Sequence, residues 1–465
     1  MNVNVCVQDD NGMTALMYVC ENPLLTSIIK KLVLDSNCLN LLDKNGENSL
    51  FHALCNKDAL YELIGTSINI NQKNNNNDTV LLHCCKNEIY EPIELLTLNN
   101  EIDVNITDSE NKTAAMYLAE KAKFKELRSL NKRNCNYDFV NKRNESVLSI
   151  IIQKMYSSNE EKVCGEFVQY LHILTMLIHF NCSFNLPVDD DENTAIMVFM
   201  IVNDMTTLSY VLNYSNNYDL SIKNKFGENA SSLAMKLNDN LAIIKKIVNH
   251  STFDINYIDP HNKNTMLMLS VMNKSMFINQ FIEDDVNSLN SVNSKDESAL
   301  IVATKLENED SVKKLLKYEI ININQQDYLG NTALYYAVDL RNFEIIKSMI
   351  RGNADMNIKN KIGKSPLDLA NEIGDKELLN VLLHPESYSH IEKENPLKSK
   401  QTLSNKYQET YEYLYPWIKN HFSEFTMTKS ILSIEKSYFF KIKANIENTY
   451  DNKFKKGYYR FYGYH

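Results

Sequence analysis

Glycine and proline are scarce in this sequence of 465 residues, with 11 and 8 copies, and tryptophan occurs once. The longest uninterrupted apolar run is the eight residues 195–202, whereas a membrane-spanning helix needs about 20. The amino-terminal stretch MNVNVCVQDDNG has neither a basic segment nor a long apolar one, so no secretory signal is predicted. We therefore expect an intracellular protein without a transmembrane segment, located in the cytoplasm, with the nucleus as the alternative.

Motifs that mark catalytic or nucleotide-binding sites are also missing, namely GxxxxGK[ST], GxGxxG, HExxH and GxSxG. The nine cysteines lie between Cys6 and Cys182 at irregular spacings and without a CxxC pair, which favours reduced core thiols over disulfides or a zinc site. Cys84 and Cys85 fall on a buried helical phase, and the acidic run 189–192 lacks the spacing of an EF-hand. We predict no catalytic residue, no metal, no cofactor and no enzymatic activity.

What the sequence does have is internal repetition. The segment NGMTALMYVC at residues 11–20 returns as GNTALYYAVD at 330–339 and as GKSPLDLA at 363–370. With the Thr of Thr-Ala-Leu as a phase marker, the spacings between successive markers are 34, 31, 34, 33, 48, 35, 36, 33, 34 and 33 residues. The markers are Thr14, Asn48, Thr79, Thr113, Ser146, Thr194, Asn229, Thr265, Ser298, Thr332 and Ser365.

Each period reads as two helices and a turn. A Ser, Thr or Asn at the marker can cap a helix amino terminus, an apolar residue follows two positions later, and a small or apolar one follows three further on. This spacing makes one helical face. A second apolar-periodic stretch and a short extended segment lead into a turn whose Gly is replaced by Asn at positions 77, 111 and 144. Asn is the best substitute for Gly where a turn needs a positive φ.

The period, the Thr-x-Leu-x-x-Ala phase and the Asp-x-x-Gly turn together resemble the ankyrin repeat over about eleven degenerate copies. The resemblance implies an all-α solenoid of stacked helix–turn–helix units with hairpin-like loops. It also implies a scaffold or adaptor that binds a protein partner through the concave groove formed by hairpin tips and first helices.

The single long interval predicts an insertion within the array. We expect amino-terminal repeats at 1–155, an insertion at 156–170, with the polar stretch 157–162 inside it, and carboxy-terminal repeats at 171–385. Leu118, Ile151 and Phe199 occupy a position that favours small residues. We therefore expect weak coupling between two sub-stacks in this part of the chain.

The composition changes after the repeats. Residues 396–465 contain 12 Lys and Arg against 6 Asp and Glu, together with 17 aromatic residues that include Trp417, although the whole chain has a net charge of −10. We expect the region 386–465 to be a small helical unit that caps the array. An alternative is that it contacts nucleic acid or acidic lipid, or recruits a ubiquitin ligase. Elsewhere the acidic balance argues against nucleic-acid binding.

The resemblance also selects candidate partner-binding residues. The exposed first-helix position, two residues after the Leu, holds aromatic residues in five repeats, and the turns add further apolar side chains. The same position is aliphatic in other repeats, at Ile150, Val198, Leu233, Leu269, Val302 and Leu369. The alternative for any residue of this row is that its side chain only packs against neighbouring repeats. The candidates are Tyr18, His52, His83, Tyr117 and Tyr336 on first helices, and Phe226, Tyr328, Leu329 and Ile362 at tips.

Overall fold

The computed structural model describes residues 4–33, 38–156, 163–237 and 240–384, excluding the side chains of 163–166. The polar stretch 157–162 and the basic aromatic region from residue 386 onward lie outside the described residues. The chain divides into two compact units. The first comprises Met1–Val198 and Tyr210–Tyr218, and the second comprises Phe199–Ser209 and Asp219–His465.

Each phase marker precedes a pair of helices, and we number the repeats 1 to 11 by these pairs. Repeats 1 to 5 contain α1 (Ala15–Glu21) and α2 (Thr26–Leu32), α3 (Ser49–His52) and α4 (Lys57–Ile64), α5 (Val80–Lys86) and α6 (Ile93–Leu96), α7 (Ala114–Glu120) and α8 (Phe124–Leu130), and α9 (Val147–Tyr156) and α10 (Val163–His179). Short 3-10 helices occupy Pro23–Leu25 and Asn131–Arg133.

The remaining pairs continue the same order. Repeats 6 to 11 contain α11 (Ala195–Ile201) and α12 (Met205–Tyr214), α13 (Ala230–Ala234) and α14 (Leu241–Val248), α15 (Met266–Met272) and α16 (Ile278–Asp284), α17 (Ala299–Lys305) and α18 (Glu309–Leu315), α19 (Ala333–Asp339) and α20 (Phe343–Arg351), and α21 (Pro366–Ile373) and α22 (Lys376–Leu383). Residues of α11 and α12 are divided between the two units. Another 3-10 helix follows α16 at Val286–Asn290.

First helices begin where the sequence predicts, because the marker side chain caps them. Thr332 accepts a hydrogen bond from the amide of Tyr335, and Asn229 accepts one from Ser232. The same capping bond is formed by the markers of α1, α3, α5, α7, α15, α17 and α21. The prediction that the marker is an N-cap residue is confirmed at these positions. It matters because each first helix is short and leaves several backbone N–H groups without a helical partner.

The turn before each marker has a fixed backbone conformation. The residue two positions before the marker has a positive φ in every repeat, and Gly provides it at positions 12, 46, 227, 330 and 363. Asn77, Asn111 and Asn144 adopt φ of 64, 59 and 60°, as predicted for glycine substitutes. In the described residues the extended segments around these turns form isolated antiparallel bridges, such as Gln326 with Thr332.

Apolar residues of adjacent repeats form the core of each unit. In the second unit α15 packs on α17, α17 on α19 and α19 on α21, while α16, α18, α20 and α22 form the parallel row of second helices. In the first unit α7 packs on α9, and the long α9 and α10 pack on each other. The large residues Leu118, Ile151 and Phe199, predicted from the repeat phase, are fully buried. In the described part of the chain, no helix is long and apolar enough to cross a membrane.

The cysteines are not all reduced, and this part of the sequence prediction is wrong. Cys6 and Cys38 form a disulfide across 32 residues, which is about one repeat. Their Cα atoms are 5.0 Å apart because successive repeats place equivalent segments side by side. Cys20, Cys84, Cys85 and Cys182 are buried thiols, as predicted, whereas Cys55 is exposed. Burial raises the pKa of both Cys20 and Cys84 to about 12.

Candidate partner-binding surface

Each hairpin tip, defined as the residues from five to two positions before the marker, is held by one polar side chain, which is the first residue of the tip in most repeats and the residue before it, Asp259, in repeat 8. In repeat 10 the tip is residues 327–330. The Asp327 carboxylate accepts hydrogen bonds from the amides of Leu329 and Asn331, each at 2.9 Å. The amide of Gly330 donates to the Asp327 carbonyl at 2.8 Å. These bonds fix the turn, so the two residues between Asp327 and Gly330 project from a rigid support.

Successive tips are joined to one another. In the second unit the amide of Tyr328 donates to the carbonyl of Lys295 in the preceding tip at 3.0 Å, and the amide of Lys361 donates to the carbonyl of Leu329 at 3.0 Å. Three tips therefore form one continuous ridge over residues 293–296, 327–330 and 360–363. We call this surface the tip ridge.

Tyrosines on the first helices do not project freely, because their hydroxyls are bound to the tips. The hydroxyl of Tyr117 donates to Asp108 at 2.7 Å, and that of Tyr336 donates to Asp327 at 2.6 Å. Tyr18 makes the same bond to Asp9 at 2.6 Å, although its side chain is half exposed. These candidate residues therefore help to hold the tips in place in addition to presenting an aromatic face.

The tyrosine–carboxylate bonds shift the pKa of both partners. Burial, together with the bond to Asp108, raises the pKa of Tyr117 well above its ordinary value. Burial raises the pKa of the Asp108 carboxyl, but hydrogen bonds from Tyr117, the Lys112 amide and Lys86 outweigh it, and the net pKa is lowered. The carboxylate is therefore charged and the phenol neutral near pH 7. The shared proton therefore stays on the phenol, which donates it to the carboxylate in the hydrogen bond.

The two candidate histidines have different surroundings. His52 has its Nδ1 atom 2.8 Å from the Glu21 carboxylate and its Nε2 atom 3.5 Å from Asp43. His83 lies edge-on to Phe51, with ring centroids 5.5 Å apart. Both are partly buried.

The first-helix row is interrupted where its residues are aliphatic. Ile150, Val198, Leu233, Leu269 and Val302 are at most 9% exposed, so the expectation that this position is exposed in every repeat is wrong. Their side chains contribute to the core of the array, because an aliphatic group gains free energy by leaving water. Leu369 is partly exposed, so the accessible side chains of this row are those of the repeats that hold Tyr or His and that of repeat 11.

A second periodic feature was not predicted. In repeats 3, 4, 7, 9 and 11 the residue just before the marker forms an ion pair with the residue eight positions later, near the end of the first helix. Lys305 lies 2.6 Å from Glu297, and Lys86 lies 2.5 Å from Asp78. The order of charge is reversed in Lys112 with Glu120 and in Lys364 with Glu372, at 2.5 and 2.6 Å. Aligning the sequence by its phase markers would have revealed these opposite charges.

The lysines of these pairs also cover the tyrosine rings. Lys112 Nζ is 4.3 Å from the centroid of the Tyr117 ring, and Lys305 Nζ is 4.7 Å from that of Tyr336. A cation at this distance is attracted by the face of an aromatic ring. One face of each ring is therefore already occupied, which reduces the aromatic surface left for a partner.

The apolar residues at the tips are all accessible, as is Tyr18 among the first-helix candidates. Tyr328 and Leu329 are 46 and 44% exposed, Ile362 is 73% exposed, and Phe226 is 39% exposed. Tyr328, Leu329 and Ile362 lie on adjacent members of the tip ridge. The side chains of Lys295, in the tip of repeat 9, and Lys361, in the tip of repeat 11, are exposed on the same ridge.

The comparison with protein-family models agrees with the repeat geometry. The family model described as ankyrin repeats (3 copies) matches residues 232–327 and 267–360. The ankyrin-repeat domain of Bcl-3 is 18% identical and covers 51% of this chain and 97% of its own, with a TM-score of 0.38. An ankyrin-repeat domain from Acinetobacter baumannii AYE is 22% identical and covers 41% of this chain and 97% of its own, with a TM-score of 0.36.

The comparison with curated proteins gave no match. Because both TM-scores are low, the assignment depends on the family model and on the capped helix pairs and positive-φ turns described above. The fold class is an all-α ankyrin-repeat solenoid, and the chain is an ankyrin-repeat protein.

Proposed function

We propose that this protein is a non-enzymatic scaffold that binds a protein partner through the tip ridge of its second unit. Ankyrin repeats are in general protein-interaction modules. The observation that carries the finer proposal is the cluster of exposed apolar side chains at Tyr328, Leu329 and Ile362. Aromatic and aliphatic residues on a rigid support lose little conformational entropy on binding, and such residues are typical of binding hot spots.

The flanking charges define the kind of partner. Lys295, Lys361 and Asp296 are exposed on the same ridge, whereas Asp327 and Glu297 are buried and hydrogen-bonded within their own repeats, so two basic groups face solvent beside one acidic group. A protein segment with an apolar core bordered by Asp or Glu would complement this surface. Tyr336 is a secondary contributor, because its hydroxyl is committed to Asp327.

The test is a binding measurement with a purified partner. The triple variant Tyr328→Ser, Leu329→Ser, Ile362→Ser should weaken binding by about thirtyfold or more, which corresponds to about 2 kcal/mol. The matched control is Leu241→Ser with Leu383→Ser, which removes residues of similar exposure, 56 and 53%, from the second helices α14 and α22. The control should bind normally. Equal binding by the triple variant, with an unchanged circular dichroism spectrum, would contradict the proposal.

A further inference from the structure

Repeat 2 departs from the pattern of tyrosine and tip carboxylate. In repeats 1, 4 and 10 a tyrosine hydroxyl lies 2.6 to 2.7 Å from the tip Asp and places its proton between the two oxygens. In repeat 2 the same position holds His52, whose Nε2 atom is 3.5 Å from Asp43 Oδ2. That separation is too long for a good hydrogen bond, so the carboxylate lacks the close donor that the tyrosines supply.

The His52 ring is oriented by its other nitrogen. Nδ1 is 2.8 Å from Glu21 Oε1, and the His52 side chain is only 11% exposed. A carboxylate at this distance holds a proton on Nδ1, which leaves the Nε2 lone pair pointing away from it. Nε2 is itself buried and has no hydrogen-bond partner. A buried ring nitrogen of this kind is costly unless a proton or a cation occupies the space in front of it.

Glu47 completes the group. Glu47 directly precedes the marker Asn48. In repeat 9 the acidic residue at this position forms an ion pair with the lysine eight residues later, but the residue eight positions after Glu47 is Cys55. Glu47 instead accepts a hydrogen bond from Asn74 at 3.0 Å.

Asp43 Oδ1 is engaged by the amides of Asn45 and Glu47 at 2.8 Å, and Oδ2 by the Asn45 side chain at 3.3 Å. One ligand atom from each of Asp43, Glu47 and His52 lies within 4.8 Å of the others.

We propose that Asp43, Glu47 and His52 bind a zinc ion. The two carboxylates balance the charge of a divalent cation, and one imidazole nitrogen with two carboxylate oxygens is a ligand set that zinc accepts, with water as the fourth ligand. Zinc bonds of about 2.0 to 2.2 Å require the three atoms to approach further, which rotation of the Glu47 side chain allows. Glu21 is a positioning residue, in the carboxylate–histidine–metal arrangement common in zinc sites. The ion would link the tip and first helix of repeat 2 to the end of α1.

The experiment uses the full chain and measures zinc content after equilibrium dialysis against zinc chloride. His52→Tyr is the informative variant, because it replaces the ligand with the residue that naturally contacts the tip Asp in repeats 1, 4 and 10. We expect the wild type to hold about one more zinc ion per chain than His52→Tyr, since zinc held by other cysteines or histidines is common to both. Glu47→Gln should show the same loss. Cobalt(II) substitution should give visible absorption bands that both variants lack.

Two further measurements distinguish a zinc site from a histidine that has only a structural role. Glu21→Gln should keep the stoichiometry and weaken zinc affinity about 10- to 100-fold. Zinc should raise the midpoint of thermal unfolding of the wild type, because a ligand of the folded state stabilises it, and should not raise that of His52→Tyr. Equal zinc content in the wild type and both ligand variants overturns the proposal. So does saturation of this site by calcium or magnesium in preference to zinc.

Discussion

Glycine at a hairpin tip avoids backbone strain at a positive φ, and in some tips it also leaves room for the neighbouring tip. Two tips allow these effects to be distinguished. Gly330 and Gly363 have nearly equal φ values, 79 and 81°. A Cβ atom on Gly330 would lie 2.9 Å from the backbone nitrogen of Lys361 in the next tip, whereas one on Gly363 would meet nothing within 4 Å. Backbone strain is therefore common to both positions, and the close approach of a neighbouring tip affects Gly330 alone.

We expect Gly330→Ala to lower the free energy of unfolding more than Gly363→Ala. The left-handed conformation costs a residue with a Cβ about 1 to 2 kcal/mol at either site. The clash with a backbone atom adds about 1 kcal/mol or more at Gly330. Urea unfolding of the two variants beside the wild type measures both values. Equal destabilisation would mean that the tip ridge adjusts without cost, and the tips would then be less rigid than their hydrogen bonds indicate.

At the scale of elements, the recurring ion pair connects the turn to the end of the first helix. Glu297 and Lys305 form it in repeat 9, and their side chains are 9 and 35% exposed. Lys112 with Glu120 and Lys364 with Glu372 form it with the charges exchanged. The geometry thus tolerates either order, provided that the two charges are opposite.

We predict that Glu297→Lys and Lys305→Glu each destabilise the protein by about 1 kcal/mol, since like charges meet at a partly buried site. The double variant should recover most of this loss. The measurement is a double-mutant cycle of unfolding free energies at pH 7. No recovery in the double variant would show that the hydrogen bond from Asn293 to Glu297, at 2.9 Å, matters more than the charge pair.

The pH dependence of this pair has a defined sign. Burial raises the pKa of Glu297, but hydrogen bonds from Asn293 and Lys305 outweigh it and the net pKa lies below its ordinary value of 4.5. Because the folded-state pKa is the lower one, the stabilisation is fully present above about pH 4.5 and is lost as the pH falls through the folded value. The coupling energy from the cycle should therefore decrease below pH 4.5.

At the scale of the whole molecule, the sequence predicted features that depend on local chemistry. Thr332 caps its helix and Asn111 takes a positive φ because those preferences belong to the residue and its neighbours. Features that depend on adjacent repeats were missed. The Cys6–Cys38 disulfide and the burial of Leu269 arise only when equivalent positions of successive repeats are brought side by side. A single sequence shows the period but not which side chains meet across it.

The residues of the candidate site were likewise predictable only where local structure decides their position. The exposed tip residues Tyr328 and Ile362 were predictable, since the turn itself places them outside. The attachment of Tyr336 to Asp327 was not, because the two are nine residues apart on different elements. The proposed insertion at 156–170 remains a prediction, and its polar part lies outside the described residues.

Repeat proteins are held together mainly by contacts between neighbours, so their parts can unfold separately. We predict that the full chain unfolds in urea in more than one transition, and that the two compact units respond independently to substitution. Thr113→Ala removes the cap of α7 in the first unit, and Ser298→Ala removes the cap of α17 in the second. Loss of such a cap costs about 1 kcal/mol.

Hydrogen exchange with peptide-level mass spectrometry across a urea series resolves where each effect occurs. Thr113→Ala should shift the transition of peptides from the first unit and leave those of the second unchanged, and Ser298→Ala should do the reverse. Because the two substitutions have the same chemistry, each is the control for the other. If either substitution shifts all peptides together, the array unfolds as one cooperative body. Strong coupling between the two units would then contradict the weak coupling that the large side chains of Leu118, Ile151 and Phe199 led us to expect.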